Sequence, residues 1–363
     1  YSMLELKGMK GSYPANFMKY LWKELLKNHP HDSICGCSRD EIHKHMEDRY
    51  LRIKEVGDRL LREGLELAAY HNGTACGNIN DYSLVLVNTS SFELGGTVEA
   101  RLVFPEKDGV RNFRITDKDG NNVPFAVRSY EKITQDVFSP INLPGHFPAD
   151  CYNIYFFSDG AEPMSIKGYK ITKCGGEQPR QMCVTENDEK SIENEFFILT
   201  ADNNGKISFK DKNSGRTAEN LMEIEDSGDI GDAYRYAPCG EARFFGSVPA
   251  RVTVTEKNRF RSMLEVEKVI SVPERYDFEN RKRSDKNTEI TVKLKFTLNA
   301  GEKMLRADYT VANTAEDHRL RLHIASDISA NSFFADIPFD IIERRDGEIE
   351  PDTVSNTHPD TSF

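Results

Sequence analysis

The amino-acid sequence has 363 residues, 38% of them hydrophobic and 29% charged, a balance typical of a water-soluble protein with about two or three domains. The net charge of -11 argues against nucleic-acid binding, because its long-range field repels phosphate. No apolar run approaches the ~18 residues that a membrane span needs. The seven cysteines are odd in number and scattered, which favours a reducing, cytoplasmic setting over a disulfide framework. The first residues, YSMLELKGMKGSYPANF, are not typical of a domain start, so we expect a piece of a larger protein.

Residues 16 to about 72 have the periodicity of two helices joined by a short link. Apolar residues recur every four positions in the first helix, at Phe17, Leu21 and Leu25. Pro30 must end this helix because it has no amide hydrogen to donate. The residues Ser38-Arg39-Asp40-Glu41 have the pattern of a capping box, which predicts the start of the second helix. We therefore predict that residues 1–75 form part of a helical bundle whose remaining helices lie elsewhere.

From Tyr82 onward the hydrophobic pattern changes to the two-residue period of β-strands. Alternation is clear at Val98, Ala100, Leu102 and Phe104, and again at Tyr152, Ile154 and Phe156. Residues 80–178 therefore predict a sandwich of immunoglobulin size, which the polar stretch CGGEQPRQ follows as a linker. The longer alternating strands of residues 186–363 predict a large two-sheet sandwich. The predicted fold is mixed: a helical-bundle segment followed by two all-β domains.

Two polar segments of the third domain have predicted structures. The residues Asn203-Asn204-Gly205 predict a hairpin turn, because Gly and Asn tolerate the positive φ of tight turns. The basic cluster RKRSDK, at residues 281–286, has acidic residues nearby. We interpret this cluster as a solvated turn.

The link NHPHDSICGCS, which begins at Asn28, contains several metal-competent residues: His29, His31, Asp32, Cys35 and Cys37. In one interpretation they are ordinary polar loop residues, with the cysteines buried as small hydrophobic side chains. In a second, the two histidines and two cysteines form a structural zinc site, although four ligands converge with difficulty from so short a stretch. In a third, one histidine and the adjacent aspartate belong to an open catalytic metal site that another domain completes. The residues alone do not decide between the first and the third.

The segment LLKNHPHDSICGCS, followed by an amphipathic helix, closely resembles the His-His-Asp segment of glycoside hydrolase family 38, the zinc-dependent retaining α-mannosidases. The residues of this segment are most similar to those of the bacterial branch that includes enzymes like mannosylglycerate hydrolase. The order of the predicted domains agrees with that family, whose large sandwich is similar to galactose mutarotase. A second segment, GDIGDAYRYAP from Gly228, resembles the part of that sandwich from which a tyrosine reaches the sugar. The resemblance implies a bacterial enzyme with Zn²⁺ as its cofactor.

The resemblance also implies roles for individual residues. His31 falls at the zinc-ligand histidine, and Asp32 at the carboxylate that binds sugar hydroxyls beside the metal. Tyr234 falls at the tyrosine that the C-terminal domain contributes, although packing inside the sandwich is the alternative for this ring. Asp232 lies close by and is a further candidate for substrate binding. A proline precedes His31 where many eukaryotic members have a second histidine.

Two parts of the family's catalytic machinery are not in this sequence. They are an N-terminal α/β domain with a His-x-Asp metal pair, and an aspartate nucleophile. Retaining glycosidases need a nucleophile and an acid/base about 5–5.5 Å apart, and we assign no such catalytic pair in this chain. We therefore predict the middle and C-terminal part of an α-mannosidase, inactive alone, for oligosaccharide or mannosylglycerate-like substrates. The alternative is a non-catalytic carbohydrate-binding or scaffolding β-module.

Overall fold

The structure is a computed structural model that describes residues 1–71, 81–137, 143–176, 190–232, 236–326, 328–337 and 339–345. Within these residues an N-terminal helical segment precedes a long series of strands, which a short 3-10 helix at Glu106–Asp108 interrupts. The predicted fold class, a helical segment followed by all-β domains, is therefore confirmed.

The chain divides into two compact units. The first unit comprises Tyr1–Phe197, Thr253–Glu265 and Lys295–Asp308. The second unit comprises Ile198–Val252, Val266–Leu294 and Tyr309–Phe363. Because the division passes through long strands, parts of one strand belong to different units.

The helical segment of the first unit contains α1 (Ser2–Leu6), α2 (Ala15–Leu26), α3 (His31–Ile34) and α4 (Asp40–His71). α2 packs against α4, and Met46 and Leu60 of α4 are buried. The prediction of two long helices within residues 16–72 is confirmed. One feature differs, because the link between them contains the short α3, which its polar composition did not predict.

The helices leave much of their apolar surface exposed. Large apolar side chains that remain exposed in this segment include Phe17, Trp22, Leu26, Leu51, Leu61 and Tyr70. Trp22, the single tryptophan of the sequence, is 57% exposed. So many exposed large apolar side chains in one short segment are typical of an interaction face. The two long helices therefore do not complete a bundle with the described residues.

The small sandwich of the first unit is built from strands β1 to β6. They are β1 (Asp81–Asn88), β2 (Leu94–Pro105), β3 (Phe113–Thr116), β4 (Phe125–Val137), β5 (Gly145–Ala161) and β6 (Ser165–Lys173). One antiparallel sheet has the order β1-β6-β3 and the other has the order β2-β5-β4. Because alternate side chains of a strand point to the same face, the apolar residues of both sheets meet in one core. That core includes Leu102, Phe104, Ile115, Ile154, Phe156 and Ile171.

The strands after residue 190 are mostly shorter than those of the small sandwich, so the prediction of longer strands in this part of the chain is wrong for most of them. They are β7 (Ser191–Glu193), β8 (Phe197–Ala201), β9 (Ile207–Asp211), β10 (Thr217–Ala218), β11 (Met222–Asp229), β12 (Pro238–Phe244), β13 (Ala250–Lys257) and β14 (Arg261–Pro273). They continue with β15 (Tyr276–Asp277), β16 (Lys282–Arg283), β17 (Asn287–Asn299), β18 (Arg306–Ala312), β19 (His318–Ile324), β20 (Ser332–Ile337) and β21 (Asp340–Arg345). One four-stranded sheet has the order β13-β14-β17-β18.

In the second unit β11 lies between β12 and β19 and is antiparallel to both. β15 pairs with β16, and β20 pairs with β21. The hairpin predicted around Asn203 and Asn204 is confirmed, because β8 and β9 flank it as neighbours. The Asp202 amide donates to the Lys206 carbonyl at 3.0 Å, and Gly205 has a φ of 66°.

In the described part of the chain, every helix is too short or too polar to cross a lipid bilayer. The cysteines that the structure describes are free thiols, namely Cys35, Cys37, Cys151, Cys174 and Cys239.

Candidate metal and sugar site

The link between α2 and α4 is anchored by Asn28, whose side chain is fully buried. Its Nδ2 donates to the Met46 carbonyl at 3.1 Å, and its Oδ1 accepts from Arg49 Nη1 at 3.0 Å. A buried amide loses its hydrogen bonds to water and must recover them from the protein. Asn28 therefore fixes the start of the link to the N-terminal third of α4. This role of Asn28 was not predicted from the sequence, although Asn28 is the first residue of the link NHPHDSICGCS.

The short helix α3 presents His31 and Asp32 to solvent. Pro30 precedes the helix with a φ of -52° and a ψ of 138°, so the backbone is extended until α3 begins. The side chains of His31 and Asp32 are 90% and 63% exposed, and His31 Nε2 lies 3.1 Å from Asp32 Oδ1. Turns on a rigid scaffold are common positions for binding residues. The two side chains are thus in contact with each other and accessible to a ligand.

Cys37 contacts the same aspartate. Its Sγ lies 3.4 Å from the Asp32 carbonyl oxygen and 3.7 Å from Oδ1. The link turns back towards Asp32 at Gly36, which has a φ of 78° and adopts this left-handed conformation without a Cβ clash. Cys35 is exposed and Cys37 is half-buried. The interpretation of these two cysteines as buried hydrophobic residues is therefore wrong.

The link does not form a closed metal site. A structural zinc site needs four protein ligands, and a catalytic one needs three. Among the residues that the structure describes, which include the whole link, no group of three His, Cys, Asp or Glu side chains could hold an ion. The interpretation as a closed zinc site is therefore wrong. His31 and Asp32 offer one imidazole and one carboxylate on an exposed turn, which fits only part of a ligand set.

The second conspicuous segment is the loop between β11 and β12 in the second unit. Asp229 closes this loop, because its Oδ1 accepts from the Gly231 amide at 2.9 Å and from the Ala237 amide at 3.0 Å. A backbone hydrogen bond of 3.0 Å from the Ile230 amide to the Ala237 carbonyl also holds the two ends of the loop together. Asp232 is exposed on the loop. Tyr234, the predicted sugar contact, lies outside the described residues.

The end of this loop is held by Tyr236. The Arg319 guanidinium lies 4.5 Å from the centre of the Tyr236 ring, at a distance typical of a cation–π contact. The Tyr236 hydroxyl lies 3.5 Å from the Ser227 hydroxyl. Both contacts tie the C-terminal end of the loop to β11 and β19. The two ends of the loop that contains Asp232 are thus held in place by the contacts of Asp229 and Tyr236.

Asp226 is a buried carboxylate on β11, three residues before the strand ends at Asp229. Its Oδ2 accepts from Arg283 Nη1 at 2.6 Å, and its Oδ1 lies 2.8 Å from His318 Nδ1. Burial by itself raises the pKa of Asp226, but the hydrogen bonds from His318 and Arg283 outweigh burial and lower the pKa. Asp226 is therefore ionised, and its charge fixes the positions of Arg283 and His318.

Glu225, the residue before Asp226, forms a similar group on the other face of β11. Arg321 Nη2 donates to both of its carboxylate oxygens, at 2.5 and 2.7 Å, and His323 Nε2 contacts Oε2. Burial raises the pKa of Glu225, yet the bonds from Arg321 and His323 outweigh burial and lower the pKa. Two adjacent residues of β11 thus each bind an arginine and a histidine.

The prediction of a solvated turn at residues 281–286 is wrong for Arg283. This side chain is 9% exposed and pairs with the fully buried Asp226. Lys282 agrees with the prediction, because it is exposed and its Nζ contacts Asp285 Oδ2 at 2.5 Å. Lys282 and Arg283 are neighbours on β16, so their side chains point to opposite faces. Sequence composition does not distinguish these two faces.

Comparison with known proteins identifies relatives of this chain. Residues 192–359 match the glycosyl hydrolases family 38 C-terminal domain. A curated relative, a putative mannosylglycerate hydrolase from Halalkalibacterium halodurans, is 26% identical over 391 aligned positions, which cover 92% of this chain and 41% of the relative.

Two solved structures have the same fold. An alpha-mannosidase from Enterococcus faecalis superposes with a TM-score of 0.81 at 23% sequence identity. The superposition covers 95% of this chain and 42% of the mannosidase chain. A protein in the glycosyl hydrolase family 38 from the same organism has a TM-score of 0.77 at 23% identity, with 93% and 44% covered. The chain therefore spans about two fifths of the length of the proteins that it matches.

Proposed function

We propose that this chain, whose residues 192–359 belong to the glycosyl hydrolases family 38 C-terminal domain, is the middle and C-terminal part of a zinc-dependent retaining α-mannosidase. The observation that carries the proposal is this family match. The complete polypeptide would act on α-linked mannose in an oligosaccharide or in a mannosylglycerate-like substrate, as the name of the bacterial relative suggests. We further propose a cytoplasmic location, because the described cysteines are all free thiols.

The proposal assigns a helical-bundle domain to residues 1–75, a small sandwich to residues 80–178 and a large sandwich to residues 186–363. An N-terminal α/β domain of the same polypeptide would supply the nucleophile, the acid/base and the remaining metal ligands. The exposed apolar side chains of α2 and α4 support a further domain that packs against them. The chain by itself is then inactive, because a retaining glycosidase needs both carboxyl groups across the scissile bond.

In this proposal His31 supplies one imidazole ligand and Asp32 binds the sugar. The exposure of both side chains supports these roles, because a ligand on another domain reaches them without unfolding the link. Zinc, when bound, would polarise neighbouring mannose hydroxyls. Asp32 would accept hydrogen bonds from those hydroxyls, and a charged acceptor strengthens such bonds.

The loop between β11 and β12 would contribute Asp232 and Tyr234 to substrate binding. Two features of the loop support this assignment. Asp232 is exposed, and hydrogen bonds from the Gly231 and Ala237 amides to Asp229 hold the two ends of the loop together. Hydrogen bonds that hold the described ends of the loop reduce the entropy that these ends lose when a sugar binds. The contribution of Tyr234 rests on the resemblance of GDIGDAYRYAP to the family segment.

The experiment is substitution of the two histidines of the link in the complete polypeptide. We expect His31→Ala to lower zinc content and to abolish hydrolysis of an α-mannoside, because one metal ligand is lost. His29→Ala is the matched control, since His29 is an exposed histidine of the same link. Zinc is measured by mass spectrometry of the purified protein, and turnover is measured with an aryl α-mannoside.

The outcomes separate the assignments. Loss of zinc and turnover in His31→Ala alone supports the proposal, whereas unchanged zinc and turnover in His31→Ala refute it. Equal losses in both variants refute the assignment of His31 as the ligand from this link. Asp32→Asn should keep the metal and lose turnover, and normal turnover in Asp32→Asn would remove Asp32 from the site.

The second candidate function is a non-catalytic carbohydrate-binding or scaffolding module. This function would use the two sandwiches to bind carbohydrate and the exposed apolar side chains of α2 and α4 as a docking surface. It predicts that the complete polypeptide binds mannosides but does not hydrolyse them. Mannoside binding without turnover, in protein that contains zinc, would favour this second function.

A further inference from the structure

The second unit contains a cavity of about 400 Å³ between β12 and the β15–β16 hairpin. Its volume is in the range of small-molecule sites. The charged and aromatic residues that line it are Glu241, Arg243, Tyr276, Arg281, Lys282 and Arg283. The lining therefore contains four cationic residues and one acidic residue, in a chain whose net charge is -11.

Arg283 has an unused donor at this cavity. Its side chain is 9% exposed, and its Nη1 donates to Asp226 Oδ2 at 2.6 Å. Its Nη2 is buried and has no hydrogen-bond partner among the described residues. A buried donor without a partner costs about 1–3 kcal/mol. The pairing of Asp226 with Arg283 thus holds a guanidinium that still lacks one acceptor.

Two further guanidinium groups line the cavity without an acidic partner. Arg243 on β12 and Arg281, directly before β16, are exposed, and the ion pairs of the described residues include neither. Lys282 differs, because Asp285 neutralises it. Guanidinium groups are well suited to bind planar or tetrahedral oxyanions through two hydrogen bonds at once. The cavity therefore combines one buried and two accessible groups of this kind.

Tyr276 gives the cavity an aromatic wall. Its ring meets the Phe278 ring edge-on, with the centres 5.0 Å apart, and its amide donates to Asp317 Oδ2 at 3.1 Å. An aromatic face packs against the carbon skeleton of a small organic ligand. The cavity thus offers cationic groups for an oxyanion and an apolar surface for the rest of the molecule.

We propose that this cavity binds the carboxylate or phosphate group of a small organic anion, with Arg243 and Arg281 neutralising its charge beside Arg283, which Asp226 holds in place. This proposal does not depend on the proposed hydrolase activity. A polyanion such as nucleic acid does not fit, because the net charge of -11 repels it and the cavity has room for a small molecule only.

The test is calorimetric titration of the complete polypeptide with inorganic phosphate, with D-glycerate and with uncharged glycerol. We expect at least one of the two anions to bind and glycerol not to bind. The anion that binds more tightly identifies the ligand group as phosphate or carboxylate. Binding of neither anion would overturn the proposal, and so would equal binding of glycerol.

A double variant locates the site. Arg243→Gln with Arg281→Gln should weaken anion binding about tenfold or more, because both accessible charges are lost. These residues are exposed, so the double variant should fold, and its melting temperature checks this. Arg216→Gln is the matched control, since Arg216 is exposed in the same unit and does not line the cavity. Anion binding that survives the double substitution, or that falls equally in Arg216→Gln, would overturn the proposal.

Discussion

Lys268 on β14 is a buried lysine without a hydrogen-bond partner in the described part of the chain, and replacing it should stabilise the second unit. Its side chain is 1% exposed, and its Nζ has no hydrogen-bond partner among the described residues. Burial lowers the pKa of Lys268, although the charges of Asp202 and Glu223 oppose this shift. The amine also lies under the β8–β9 hairpin, where a Cβ on Gly205 would meet Lys268 Cε at 2.3 Å.

The magnitude follows from the unsatisfied amine. A buried donor without a partner costs about 1–3 kcal/mol, and methionine keeps the apolar stem while removing that donor. We therefore expect Lys268→Met to raise the free energy of unfolding by about 1–3 kcal/mol. The assay is urea denaturation at neutral pH, in which the midpoint should rise with an unchanged slope. Lys206→Met, at an exposed lysine of the same hairpin, should change stability by less than about 0.5 kcal/mol.

The pH dependence gives an independent check. The folded pKa of Lys268 is below its ordinary value, so the unfolded chain binds more protons between the two values. Stability of the wild type should therefore rise with pH as the medium passes from the folded pKa to the unfolded pKa. Lys268→Met should lose this rise. A variant that is destabilised, or that keeps the same dependence on alkaline pH, would refute the reasoning.

Three further predictions concern other parts of the chain. Asp226→Asn should destabilise the second unit by about 3–5 kcal/mol, because Arg283 and His318 lose a buried countercharge. The pKa of Asp226 is lower in the folded protein than in the unfolded chain. The ionised carboxylate therefore stabilises the fold above the unfolded pKa, and this stabilisation is lost as pH falls through the folded pKa. Urea midpoints measured across acidic pH should show this loss in the wild type only. Asn28→Ala should cost about 1–3 kcal/mol, since the Met46 carbonyl loses its donor, and amide hydrogen exchange in residues 28–37 should speed up. Trp22→Ser should change the stability of this chain by less than about 1 kcal/mol, because Trp22 is 57% exposed. The same substitution should lower the stability of the complete polypeptide by more than this, because we propose that another domain covers α2 there. Equal urea midpoints for Trp22→Ser and the wild type in the complete polypeptide would contradict such a covering domain.

The succession of helices and strands could be predicted because local periodicity encodes it. Apolar residues every four positions lie on one helix face, and apolar residues at alternate positions lie on one face of a strand. Met46 and Leu60 on α4, and Leu102 and Phe104 on β2, are buried as that rule requires. The rule does not say which apolar face finds a partner. Phe17 has the same spacing as its neighbours on α2, yet it is 57% exposed.

The link between α2 and α4 shows what a motif by itself predicts about a site. Its metal-competent residues were identified from their types, and the structure brings His31 and Asp32 into contact. The anchoring of the link by Asn28 could not be predicted, because the partner atoms belong to Met46 and Arg49, a different part of the chain. Hydrogen bonds between residues so far apart depend on how the two helices pack.

By itself, the sequence determined the fold class, the hairpin at Asn203 and the position of the link, because each of these depends on neighbouring residues. Only the tertiary structure decided that Arg283 is buried while Lys282 next to it is solvated. Both belong to one basic cluster, and composition treats them alike. Asp226 makes the difference, since a fully buried carboxylate on another strand needs a countercharge, and only the pairing of strands in space determines which residue provides it.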